Sequence, residues 1–172
     1  MTQFKFDQVH SSLEFGIKHL MVSKVKGTFE KYDVDVTGDI SNLSTIKANV
    51  KIDVASINTK NEDRDKHLQN EDFFNVEKYP TIEFETTSIT ETSVTGQLTI
   101  AGETHEETFE LEYNGVSKNP MTNGFVTGFI VSGKIDREKY GITFNQALDT
   151  GGVMLGKEVK FEADAEFEVE DD

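Results

Sequence analysis

The chain has 172 residues, 35% of them hydrophobic, with 13 Phe, no Trp, no Cys and a formal net charge of −15. That length is enough for one domain, spanning 1–172, with a full core, and the lack of cysteine rules out disulfides and thiolate chemistry. So much negative charge would repel a phosphate backbone, which argues against nucleic acid as a partner, and it disfavours stable docking or insertion at an anionic membrane face.

The first residues, Met1-Thr2-Gln3-Phe4-Lys5-Phe6-Asp7, show no basic segment leading into an apolar one. No stretch reaches the ~20 apolar residues of a membrane helix. With Met1 as the native start, a cytoplasmic location is expected. Strands are expected around 13–21 and 26–36, and then where Ile46, Ala48, Val50, Ile52 and Val54 alternate with Lys47, Asn49, Lys51 and Asp53.

Alternation stops at Ser56-Ile57-Asn58-Thr59. Thr59 followed three residues later by Glu62 has the form of a capping box, which predicts a short helical insertion around residues 60–72. Arg64 and Leu68 then fall one turn apart on one face, with His67 beside them. Arg64 and Arg137 are the only arginines among 17 basic residues, and a guanidinium forks onto carboxylate or phosphate as lysine does not. The plainer expectation for Arg64 is an Arg–Asp pair that fixes the helix as a lid.

Beyond Tyr79-Pro80 the two-residue period returns, with strands expected at 81–89 and 94–101. Others are expected over Phe109, Leu111 and Tyr113, over Phe125 to Ile135, and over Val159, Phe161, Ala163, Ala165, Phe167 and Val169. Ala101-Gly102 and Asn114-Gly115 are expected hairpin turns, and Asn123-Gly124 starts another strand. Eight antiparallel strands with one apolar face fit a sandwich or a closed barrel, and periodicity alone does not choose. Inward positions include the small or weakly polar Ala48, Gly96, Thr127, Gly133, Ala163 and Ala165. These fit either a cavity or interdigitation with large neighbours.

Signals for chemistry are few. His10, His19, His67 and His105 lack metal-ligand spacing, so no metal is expected. There is no nucleophile elbow, phosphate-binding glycine loop or dinucleotide fingerprint, and Gly151-Gly152 lacks the strand-to-helix context of one. His19 shares parity with Phe15 and Ile17 and should point to the apolar face, as a bonded core histidine or as a partner for a ligand.

Several segments in order resemble the YceI-like polyisoprenoid-binding family: Asp7…His10-Ser11…Phe15; His19…Val22-Ser23-Lys24-Val25…Gly27-Thr28-Phe29; Ser56-Ile57…Thr59; Arg64-Asp65…His67-Leu68; Asp72-Phe73-Phe74; Tyr79-Pro80; Gly96…Leu98-Thr99-Ile100…Gly102; and Ile135…Arg137…Tyr140-Gly141. The resemblance runs almost end to end. It implies an all-β, eight-stranded antiparallel, lipocalin-like barrel with a helical segment beside it, holding an isoprenoid or other long-chain lipid. Several members are dimers, which leaves a homodimer open. There are departures: Leu20-Met21 stands where relatives carry Met-Gly, Ala101 to Glu107 brings acids where relatives carry bases, and Tyr140 replaces a usual phenylalanine.

The function expected on this basis is non-catalytic binding or carriage of a lipid, with no other cofactor, and with a link to isoprenoid-quinone metabolism or stress. The alternatives are an acidic, stress-associated structural barrel without a lipid, and a hydrolase or isomerase using His19. The expected ligand-binding residues are Phe15, Ile17, His19, Phe29, Val50, Ile52, Phe84, Leu98, Ile100, Leu111, Phe129, Val131, Tyr140, Phe161 and Phe167. Arg64, His67 and Arg137 are candidates for a head group or for structure. The acidic balance favours a neutral head bound by His19 or Tyr140 over a diphosphate. The alternative is a basic mouth of Lys18, Lys24, Lys26, Arg64 and Arg137.

Overall fold

The structure, a computed structural model, describes residues 1–20, 22–145 and 154–171, so Met21 and Gly151-Gly152 lie outside the described residues. Alternating segments become β1 (Thr2–His19), β2 (Ser23–Phe29), β3 (Tyr32–Asp39), β4 (Asn42–Asp53), β5 (Ile57–Asn58), β6 (Thr81–Ile89), β7 (Ser93–Ile100), β8 (Glu103–Lys118), β9 (Phe125–Asp136) and β10 (Leu155–Asp171), with one helix, α1 (Glu62–Gln69). They form a single antiparallel sheet in the order β3-β4-β6-β7-β8-β9-β10-β1-β2-β5. The sheet curls until β3 lies against β1. There Phe6 meets Tyr32 with ring centroids 5.7 Å apart, and the Ile40 amide donates to Thr2 Oγ1 at 2.9 Å.

The all-β, barrel-like expectation holds, with ten strands instead of eight. The segment expected as one strand over 26–36 breaks at Glu30-Lys31 into β2 and β3, and Ile57–Asn58 adds a two-residue strand beside β2. The ladder also does not close on itself, since its order runs from β3 to β5. The cause is β1, which is 18 residues long and starts at Thr2. On the edge away from β10 its second half pairs with β2 and its first half lies beside β3, so no one strand borders that edge over its full length.

A break in β1 makes this division. Asp7 opposes Glu166 on β10 and Ser12 opposes Asp164, so residues 8–11 are bulged out. Asp7 holds the bulge, with Oδ1 accepting from the amides of Val9 (3.1 Å) and His10 (3.3 Å). Ser11 Oγ donates to the Asp7 carbonyl at 2.6 Å and accepts from the Glu166 amide at 3.0 Å. Phe4 and Phe6 face the core before the bulge; Leu13, Phe15, Ile17 and His19 face the interior after it. Even parity has become odd.

Asn114-Gly115 is also a bulge and not a turn. Gly115, at φ 76°, sits inside β8 where the register with β9 shifts between Tyr113 and Val116, a left-handed conformation that glycine adopts without a Cβ penalty. The hairpin closes later, where the Asn119 amide donates to the Gly124 carbonyl at 2.8 Å. Ala101-Gly102 is a turn as expected, with both residues at positive φ.

The helix is shorter than expected and its cap is Asn61, whose side chain accepts from the Arg64 amide at 3.0 Å. Thr59 lies too far upstream to cap, because Lys60 at φ 64° turns the chain between them. Thr59 is instead 2% exposed and donates through its amide and hydroxyl to Asp65 Oδ1, at 2.9 and 2.6 Å.

Candidate ligand cavity

Inside the curl lies a cavity of about 430 Å³, within the usual range for small-molecule pockets. The structure places the fifteen residues from Phe15 to Phe167 named as ligand-binding on its wall, together with Arg64, His67 and Arg137. Cross-strand register explains the agreement. Leu13, Ala163, Val131 and Leu111 face one another in a row across β1, β10, β9 and β8, so alternation carries from strand to strand.

The small inward residues divide between the two expected roles. Ala48, Ala163 and Ala165 line the cavity. Gly96 and Gly133 do not enlarge it, because phenylalanines fill their space: an added Cβ would come within 2.9 Å of Phe84 Cζ and 2.7 Å of Phe109 Cδ1. Thr127 is buried and donates to the Gly115 carbonyl at 2.8 Å.

The two ends of the cavity differ. Away from α1, Phe167 is the centre of an aromatic cluster with Phe4, Phe6 and Phe129, at centroid distances of 6.0, 5.6 and 6.2 Å. Near α1 the wall carries His19, Arg64, His67 and Arg137. There the rings of His67, Phe73 and Phe144 pack edge-on or tilted at 5.0–5.2 Å, and His67 Nε2 lies 3.0 Å from Asp72 Oδ2. Leu68, Phe73, Phe74 and Phe144 were missed as wall residues. The first three stand in the quoted helical motif, whereas Phe144 follows a turn and carries no periodic signal.

The polar groups at the helix end are largely committed to the protein. Arg64 has no Asp partner among the described residues: its Nε donates to Thr59 Oγ1 at 2.8 Å and its Nη2 to the Thr59 carbonyl at 2.6 Å. Arg137, 5% exposed, donates from Nε to the Gly156 carbonyl (2.8 Å) and from Nη1 to the carbonyls of Ile142 and Phe144 (both 2.9 Å), while its Nη2 has no partner among the described residues. Burial lowers its pKa from the ordinary value. The Tyr140 hydroxyl donates to Glu107 Oε2 at 2.6 Å, so its proton is not free for a head group. Burial first, then Glu107, pushes the phenol far up. The His19 side chain has no hydrogen-bond partner among the described residues. Lys18, Lys24 and Lys26 are exposed and absent from the cavity wall.

One group of possible metal donors occurs among the described residues, Asp7, His10 and Glu166 at the β1 bulge. Sequence spacing hid it because Glu166 comes from the far end of the chain. His10 Nδ1 lies 2.6 Å from Asp7 Oδ2 and 3.5 Å from Glu166 Oε2, so the contacts already serve to fasten the bulge.

A curled antiparallel sheet with a helix over one end and an enclosed apolar interior defines a lipocalin-like binding fold. The YceI-like domain model matches residues 4–167, and the chain belongs to that family. It is 63% identical to a UPF0312 protein of Staphylococcus epidermidis over 99% of both chains. It is 64% identical to one of Staphylococcus aureus over 98% of this chain and 99% of the other. The structure of the Campylobacter jejuni YCEI protein superposes with a TM-score of 0.75 at 32% identity over the whole of both chains. A polyisoprenoid binding domain from Saccharophagus degradans shares the fold, with a TM-score of 0.69 at 12% identity over 99% of this chain and 100% of that one. The helices of this chain, among the described residues, include none long and apolar enough to cross a membrane.

Proposed function

We propose that the chain is a non-catalytic carrier that holds an isoprenoid or similar long-chain lipid in the cavity, with the tail toward Phe167 and the head toward His19. One observation carries this reading: the interior is a predominantly apolar space whose basic side chains all stand at one end. That polarity suits a molecule with an apolar tail and a single polar head. The name of the Saccharophagus degradans domain supports the ligand class.

The head group is neutral or weakly polar. A diphosphate needs several converging donors to replace its water. Arg64 spends donors on Thr59, Arg137 spends three bonds on carbonyls, and the three lysines face outward. The free His19 ring supplies one or two hydrogen bonds, enough for an alcohol, amide or quinone carbonyl. Native mass spectrometry of protein purified without detergent should show a retained lipid. Competition between a polyprenyl diphosphate and a neutral isoprenoid of equal tail length should favour the neutral ligand at both low and high salt. A diphosphate preference that shrinks as salt rises would overturn the head-group assignment.

A further inference from the structure

The cross-strand register gathers lysines on the outside of the barrel next to the His19 end of the cavity. Lys134 on β9 faces Lys160 on β10, Lys160 faces Gly16 on β1, and Gly16 faces Lys26 on β2. Nearer the hairpin tip Lys18 faces Lys24, and Lys157 is close by on β10. All six are exposed. Among the described residues, acids in this region include Asp136 and Glu158, paired with Lys157 at 3.4 Å and Lys134 at 3.8 Å. Lys18, Lys24, Lys26 and Lys160 form no ion pair among the described residues. The next outward row away from the tip is acidic, with Glu14 facing Glu162. In a chain with 32 acidic residues, these four cations in one place thus have no ion-pair partner among the described residues.

Apolar side chains crown the same patch. Leu20 and Val22, on the connection between β1 and β2, are 42% and 87% exposed. Leu20 sits at φ 53°, a left-handed position where glycine or asparagine would be less strained than leucine. His19 on the cavity wall directly precedes them.

We propose that this hairpin end is a docking surface for an anionic lipid bilayer. The apolar tip enters the headgroup layer, the lysines meet lipid phosphates, and the His19 end of the cavity is held at the membrane where a lipid is taken up or released. Charge complementarity selects this partner: unpaired lysines around exposed aliphatic side chains match an interface that is anionic outside and apolar beneath. The net charge of −15 opposes binding of the molecule as a whole, which makes contact transient and restricts it to this face, because charges further than a Debye length from the surface are screened. The inference rests on the carrier reading for its purpose but not for its geometry.

The test uses the full chain with vesicles of phosphatidylcholine, with or without phosphatidylglycerol, at low and high salt. Uptake of a fluorescent isoprenoid alcohol added from solution, without vesicles, is measured separately. The wild type should sediment with the phosphatidylglycerol vesicles only, and less so at high salt. Lys18→Glu/Lys24→Glu/Lys26→Glu should weaken that association on the order of a hundredfold, given about a fivefold contribution from each lysine near the surface. Leu20→Ser/Val22→Ser should weaken it at every salt concentration. Lys47→Glu/Lys51→Glu, on exposed positions of β4, should leave it unchanged. All variants should take up the alcohol from solution as the wild type does. Uptake by a wild type that ignores anionic vesicles, or a triple lysine variant that still sediments, overturns the docking surface and leaves the carrier reading standing. Salt-sensitive sedimentation without uptake upholds the surface and refutes the carrier.

Discussion

His10 Nδ1 lies 2.6 Å from Asp7 Oδ2, and this pair spans the four-residue bulge that decides which face of β1 looks into the cavity. The Asp7 carboxylate is the acceptor throughout, since it also accepts from the backbone amides of Val9 and His10. A side-chain pair on the outer surface thus helps to fasten the bulge beyond which Phe15, Ile17 and His19 point inward.

The pair should titrate as a unit. The hydrogen bond that His10 donates to Asp7 raises the His10 pKa above the ordinary imidazole value of 6.5, with the charges of Asp7 and Glu166 adding to it. The same bond lowers Asp7 below the ordinary 3.8. By linkage, the raised His10 contributes stability in full below the unfolded imidazole pKa and loses it as pH rises through the folded value. The depressed Asp7 contributes above the unfolded carboxyl pKa and loses it as pH falls through its folded value. The bulge should therefore be best fastened in mildly acidic solution. In an NMR titration His10 should have a midpoint above 6.5, and Asp7→Asn should lower it; an unmoved midpoint would refute the pairing.

Arg137 is predicted to be structural before it is anything else. Its three bonds tie the start of β10 to the segment after β9. Arg137→Met would leave three carbonyls without their charged donor and should cost on the order of 3–5 kcal/mol in urea unfolding. A loss below about 1 kcal/mol would show that water or the backbone replaces the guanidinium easily.

Leu111→Trp and Val131→Trp place a large ring in the row that also holds Leu13 and Ala163, midway along the cavity. Each should abolish lipid uptake with the β circular dichroism spectrum retained, because the ring has an existing void to occupy instead of a packed core to displace. Wild-type uptake by both variants would put the lipid elsewhere.

Tyr140 and Glu107 can be tested by a double-mutant cycle. Tyr140 is 1% exposed and its hydroxyl has the Glu107 carboxylate as its partner. Tyr140→Phe should cost about 1–2 kcal/mol and Glu107→Gln less, since an amide oxygen still accepts, with a coupling near 1 kcal/mol. Additive losses would mean that the bond contributes little.

The cavity wall was legible in the sequence because parity is a local property that cross-strand pairing passes on unchanged. Ala163, Val131 and Leu111 needed only the period of two. What the sequence concealed lies where locality fails. The β1 bulge depends on Ser11 meeting Glu166, 155 residues away in the chain. Asn114-Gly115 carries the residues of a hairpin turn, and only the partner strand, where Val116 opposes Thr127, makes it a bulge. Thr59 and Asn61 both resemble helix caps, and the positive φ of Lys60 decides between them. The commitments of Arg64 and Arg137 to backbone carbonyls follow from three-dimensional proximity, which residue type does not report.

Pairing of β1 with β10 brings Thr2 opposite Asp171, and this has a consequence for how the molecule is made. The strand that carries His19 is synthesised before its long partner β10, and it gains that partner only after all the intervening strands have emerged. Until then Phe4, Phe6 and Phe15 have only a nascent β1–β2 hairpin and part of the far wall to cover them. Closure over so large a sequence separation makes the last step of folding slow and leaves an apolar strand waiting in the meantime. Pulse-labelled hydrogen exchange during refolding should find the amides of β1 and β10 protected together and late, after those of the β6–β7 and β7–β8 hairpins.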